Sequence, residues 1–191
     1  MWNVLLDPLP VEWHGYPIDS DFQTGIQISQ CLADEELSER ERFFTAVYLL
    51  FPEDGNRPDI KEAAEGITWF LNEYHHDNDS GKQSKVRVMD FDIDQWRIYA
   101  AFLSQYNIDL NTVRMHWFTF MGLLANLDDC AFTNVMNIRN KKLSGKMSPE
   151  ERKSIMEAKK IFEIKAPKEE TLSEQEKQRV EEFMKYINVS K

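Results

Sequence analysis

Three carboxylates alternate in Asp90-Phe91-Asp92-Ile93-Asp94, the spacing with which a calcium-binding loop opens. Such a loop needs glycine at its sixth position and a bidentate Glu at its twelfth. Here those positions hold Gln95 and Ala101. A helix start is the simpler use, because carboxylates are favoured at the positive end of a helix dipole, and Asp92 is placed to cap the helix that follows. His75, His76, Asp77 and Asp79 are ligand types that suit zinc or nickel. Adjacent histidines in a polar run lack the outer hydrogen bonds that make strong ligands, so a solvated loop is the plainer reading. His116 stands between Met115 and Trp117, where an imidazole more often has a nitrogen satisfied inside the fold than serves as a general base. Its candidate partner Asp109 is about two helical turns away and out of direct reach. Cys31 and Cys130 sit among apolar neighbours and read as reduced, buried thiols rather than a bridge. No HExxH, CxxC, GxSxG or glycine-rich phosphate loop occurs, and the seven glycines are scattered. The expectation is a non-enzymatic protein with no metal and no cofactor.

Composition narrows the partners. The chain has 191 residues, 42% of them hydrophobic, enough to bury a core. Its 23 Lys+Arg against 33 Asp+Glu give a net charge of −10. That balance disfavours a non-specific grip on nucleic acid or an anionic membrane. Charge is also unevenly placed. Residues 139–191 hold 14 Lys+Arg and 10 Asp+Glu, net +4, whereas residues 1–138 hold 9 and 23, net −14. The opening residues lack the basic and apolar regions of a secretion signal, and the apolar stretch Trp117 to Leu127 is too short for a membrane span. The expected address is the cytoplasm.

The elements that must position these groups are mostly helical. Val11-Glu12-Trp13 and Tyr16-Pro17-Ile18 flank His14-Gly15 and predict a small hairpin, with Trp13 and Tyr16 laid against helices. From Asp21 the period becomes 3.6. Ser38 with Glu41 forms a capping box, Asp59 with Glu62 repeats the pattern, and Pro52 ends the helix between them. The run from 75 to 88 reads as an exposed loop. Past Asp92 the spacing predicts a helix with Ile93, Trp96, Ala100 and Leu103 on one stripe and Tyr99, Phe102 and Tyr106 beside it. A second follows over Asn111 to Ala125 and a third through Phe132, Val135, Met136 and Arg139, the three forming a central layer. Ser148-Pro149-Glu150-Glu151 opens another helix, and Ser173 with Glu176 caps a last one bearing Val180, Phe183, Met184 and Ile187. The chain is therefore expected to be mainly α, about seven to eight helices with an N-terminal β-hairpin. Residues 1–147 form an acidic body and 148–191 a helical C-terminal extension. A chain cut near Ser148 is expected to stay folded.

Five Trp and twelve Phe are the notable excess. Most lie at helical spacing and read as core, while a subset could line a groove for a partner helix, where aromatic and Met contacts concentrate binding energy.

The run DFDIDQWRIYAAFLSQYNIDL from Asp90, followed by MHWFTFMGLLANLDDCAFTNVMNIR, resembles a small family encoded in the tail-gene region of temperate siphophages of Gram-positive bacteria. The resemblance is most specific at Asp92, Tyr106, Ile108-Asp109-Leu110, His116-Trp117, Phe120, Leu123-Leu124, Leu127 and Arg139, with weaker support from Asp21-Phe22 and Trp69-Phe70. It covers roughly residues 1–140. The resemblance implies a non-catalytic tail assembly chaperone in the host cytoplasm. Such a protein binds the long helical tape-measure protein, shields its apolar faces, and leaves as tail-tube subunits polymerise. The alternative is a minor structural subunit retained in the virion. On either reading the partner surface is expected at Trp96, Tyr99, Phe102, Tyr106, His116, Trp117, Phe120 and Met121, with the tail-tube protein and self-association as further possible contacts.

Overall fold

A computed structural model describes residues 3–53, 55–72, 88–145 and 147–164 of the chain. Among these residues there are one two-stranded antiparallel sheet and seven helices, so the protein is mainly α. The strands are β1 (Glu12–Trp13) and β2 (Tyr16–Pro17). The helices are α1 (Phe22–Ala33), α2 (Glu39–Leu50), α3 (Ile60–Asn72), α4 (Gln95–Tyr106), α5 (Trp117–Ala125), α6 (Ala131–Asn140) and α7 (Pro149–Ile161). The expected helix after Ser173 and the histidine-rich run from 75 both fall outside the described residues.

The hairpin closes through His14 (φ 49°) and Gly15 (φ 85°), the pair of positive φ values that lets a two-residue turn match the strand twist. Trp13 stacks on Trp69 of α3 at 4.8 Å, and the Tyr16 hydroxyl donates to Glu62 of α3 at 3.4 Å. Sequence-legible caps start several helices. Asp21 caps α1, and Ser38 with Glu41 and Ser148 with Glu151 form reciprocal boxes on α2 and α7. The Ser38 contacts hold the Glu41 carboxyl below its usual range.

Helix α5 is the hub. It carries five buried residues, Trp117, Phe118, Phe120, Met121 and Leu124. Phe120 stacks with Phe22 of α1 at 5.0 Å and with Phe102 of α4 at 5.1 Å, and Trp117 and Phe118 each lie 6.0 Å from Phe70 of α3. Around this hub α1 packs on α2, α3 and α5, and α4 on α6. The expected layer of α4, α5 and α6 is therefore corrected: α5 is embedded between the α1–α3 group and α4. The close approach of α1 to α5 needs Gly25, where an added Cβ would lie 2.2 Å from Trp117 Cε3.

Two helix starts differ from the sequence reading. α5 begins at Trp117 rather than Asn111, because His116 is its N-cap and the preceding residues pair with the start of α1: Phe22 N–H donates to Met115 O and Trp117 N–H to Ser20 O. α4 begins at Gln95, and Asp92 does not cap it. Asp90 organises that turn by accepting from the N–H groups of Asp92 and Ile93.

Asp94, wholly buried, meets the buried Arg139 of α6 in a two-pronged ion pair. Arg139 also donates to Val88 O at 3.0 Å and through Nε to Phe162 O at 2.6 Å, and Arg97 donates to Asp94 Oδ1 at 2.9 Å. One guanidinium thus ties together α4, α6, the segment entering α4 and the end of α7. Lys159 of α7 returns a bond to Arg139 O at 2.9 Å. α7 itself has no buried residue. Cys31 and Cys130 are both free and half-buried, and burial raises the Cys31 thiol pKa.

Candidate protein-binding furrow

The packing of α4 leaves the stripe of Ile93, Trp96, Ala100 and Leu103 on the outside. Its buried residues are Ile98, Ala101 and Phe102. Trp96 is 75% exposed, Ile93 44% and Leu103 43%, with Ala100 exposed between them. Trp96, Ala100 and Leu103 follow the i, i+4, i+7 rule of one helix face, so α4 carries a second apolar stripe that its own body leaves uncovered.

Beside this stripe, α1 and α4 enclose an open furrow of about 300 Å³. Ile26 and Gln30 of α1 form one wall, Gln95, Trp96 and Tyr99 of α4 the other, and Phe22, Phe91 and Phe120 the floor. A second concavity of about 240 Å³ continues it past Gln30 and Phe91 towards Ala33 and Met121. Gln23, Ile26, Gln30 and Ala33 line the two hollows from one face of α1. The Gln30 side-chain amide bonds to Asp92 across the furrow. Trp96 packs edge-on to Tyr99 at 6.1 Å, which steadies the lip. Amide side chains and one carboxylate rim an aromatic floor, a lining suited to taking another apolar side chain.

The eight residues expected at a partner surface separate into groups. Trp96 and Tyr99 stand on the furrow wall. Trp117, Phe120 and Met121 lie at or beneath its floor and are at most 7% exposed, and Phe102 is 0% exposed. These four belong to the core. Tyr106 is a tie between helices: its hydroxyl donates to Leu123 O at 2.9 Å, and burial raises its pKa. His116 is also structural. Its Nδ1 accepts from Phe118 N–H at 3.1 Å while Nε2 lies 2.8 Å from Pro10 O, a pattern met by the neutral ring protonated on Nε2. Burial lowers its pKa despite the Pro10 contact. The residues that sequence reasoning missed are Ile26, Gln30 and Gln95, whose spacing shows no special chemistry.

Among the described residues no cluster of three or more His, Cys, Asp or Glu side chains could hold a metal ion. No described helix is long and apolar enough to cross a membrane.

The sequence model of a family described as bacteriophage Gp15 protein matches residues 5–164, most of the chain. The chain belongs to this Gp15 family. The match runs beyond the resembling block to the end of α7, so the Gp15 unit includes the helix that Arg139 fastens to the body. No curated protein and no solved structure gives a significant match.

Proposed function

We propose that this phage protein is a non-catalytic tail assembly chaperone that holds amphipathic helical segments of the tape-measure protein. The observation that carries the reading is the outward stripe of Ile93, Trp96 and Leu103 beside the α1/α4 furrow. An exposed apolar row with an aromatic at its centre is costly in a soluble protein unless a partner covers it, and a helix-in-groove contact needs anchors at this spacing. Membership of a phage family supplies the setting, and the likeness of the 90–139 block to tail-region proteins of siphophages supplies the client. The role takes place in the host cytoplasm.

Coexpression with the tape-measure protein and pulldown test the reading. The wild-type chain is expected to keep the tape-measure protein soluble and to be recovered with it, and Trp96→Ala to lose that recovery while staying folded. A tape-measure protein that stays insoluble and recovers none of this chain overturns it. Mass spectrometry of purified particles is expected to find the chain absent. Its presence in stoichiometric amount would make it a structural subunit instead.

A further inference from the structure

We infer that the outward face of α7 docks into the α1/α4 furrow of a second copy of this chain, joining copies head to tail. The inner side of α7 is held on α6 by the Lys159–Arg139 and Arg139–Phe162 bonds, yet none of its residues is buried. Another side presents Arg152, Met156 and Lys160, each one turn from the next, with Lys153 beside them. Met156 is 55% exposed, and among the described residues the shallow hollow around it is lined by α7 alone. Three cations and one acid, Glu157, surround that methionine.

The furrow offers the matching groups. Trp96 supplies an exposed indole, to which a thioether and a cation are both attracted, and Asp92 supplies a carboxylate at the lip. The larger charge pattern has the same sense, since residues 1–138 carry −14 and residues 139–191 carry +4. With its inner side fastened to α6, α7 meets a furrow only on another molecule. The two patches are different surfaces, so the contact is heterologous and propagates into chains or closes into rings. A copy in such an assembly has its aromatic lip covered until a client displaces the neighbour. The inference uses the furrow of the proposed function but not the tape-measure client, and its test needs none.

Sedimentation velocity on the full chain tests it. Wild type is expected to show mass rising with concentration above the 22.6 kDa of one chain, and less so as salt is raised from about 0.05 to about 0.5 M. Trp96→Ala and Met156→Glu are each expected to run as monomers with unchanged circular dichroism, since both side chains are exposed. Their equimolar mixture is expected to give a species of two chains and no larger, because one intact furrow and one intact α7 remain. A wild type that is monomeric up to its solubility limit overturns the inference. So does either variant assembling like wild type, or a mixture that stays monomeric. Tape-measure capture by Met156→Glu is read separately: it survives if only the self-docking fails, and is lost with that of wild type if the chaperone reading fails.

Discussion

Replacing Arg139 by Met removes the donor that three segments share. Asp94 is 0% exposed and Arg139 5%, so water does not screen the pair or replace it without opening the fold. Removing one partner of such a pair costs about 3–5 kcal/mol, mostly for the charge left behind. Here Asp94 keeps the Arg97 contact at 2.9 Å and the Asp90 N–H at 3.2 Å, which places the carboxylate's share towards the lower end. The carbonyls of Val88 and Phe162 lose their donor as well, each at about 1 kcal/mol or less once hydrated. The sum is again about 3–5 kcal/mol, a large part of the roughly 5–15 kcal/mol that holds a domain together. For a chain of this length it lowers Tm by about 6–20 °C. Urea denaturation followed by circular dichroism measures it, with Asp94→Leu and the double variant completing a cycle. The double variant is expected to be less destabilised than the two singles added, because it leaves no buried charge. A loss below about 1 kcal/mol for Arg139→Met, or strict additivity in the cycle, refutes the view that this pair organises the fold.

Gly25→Ala is expected to cost about 1–3 kcal/mol in urea melts, because its Cβ meets the buried Trp117 ring at 2.2 Å. Trp96→Ala, at a side chain 75% exposed, is expected to move stability by no more than about 0.5 kcal/mol while abolishing partner capture by pulldown. Because burial lowers the folded His116 pKa, the unfolded chain takes up that proton first as pH falls. Its contribution is therefore complete above the unfolded value of about 6.5 and declines as pH drops from there towards the folded value. His116→Asn, which keeps a capping side chain, is expected to remove this decline from urea titrations between pH 7.5 and 5. A chain ending at Met147 is expected to melt cooperatively at a Tm a few degrees lower, since α7 buries no residue but gives up its bonds to Arg139.

Local signals carried most of the element pattern. His14-Gly15, Ser38 with Glu41 and Ser148-Pro149 with Glu151 each satisfy backbone groups within a few residues, so their physics is complete in a short stretch of chain. Non-local partners were not legible. Asp94 reads as one more acid at a helix start until α6 brings Arg139 against it from 45 residues away. His116 reads as part of a helix until Pro10, 106 residues earlier, takes its Nε2 and leaves Nδ1 to cap Phe118. The furrow is the harder case. α4 has two apolar faces, Ile98-Ala101-Phe102 and Trp96-Ala100-Leu103, and periodicity cannot say which one the body covers.

The choice between those faces also explains why the uncovered one persists. Had α4 only a packing role, position 96 could be polar at little cost to the core, since Trp96 is 75% exposed. Gln95, Ser104 and Gln105, on the same helix, show that polar residues are accommodated there. The rotation of α4 is fixed by Asp94, whose carboxylate must stay on Arg139, so Trp96 cannot turn inward without breaking a buried ion pair. The indole is therefore held at the lip by the same guanidinium that anchors the end of α7 through Phe162. Both exposed surfaces, the Trp96 furrow and the Met156 face, take their positions from one guanidinium. A substitution at Arg139 that left the chain folded would be expected to weaken partner capture and self-docking together, whereas surface changes at Met156 spare the first.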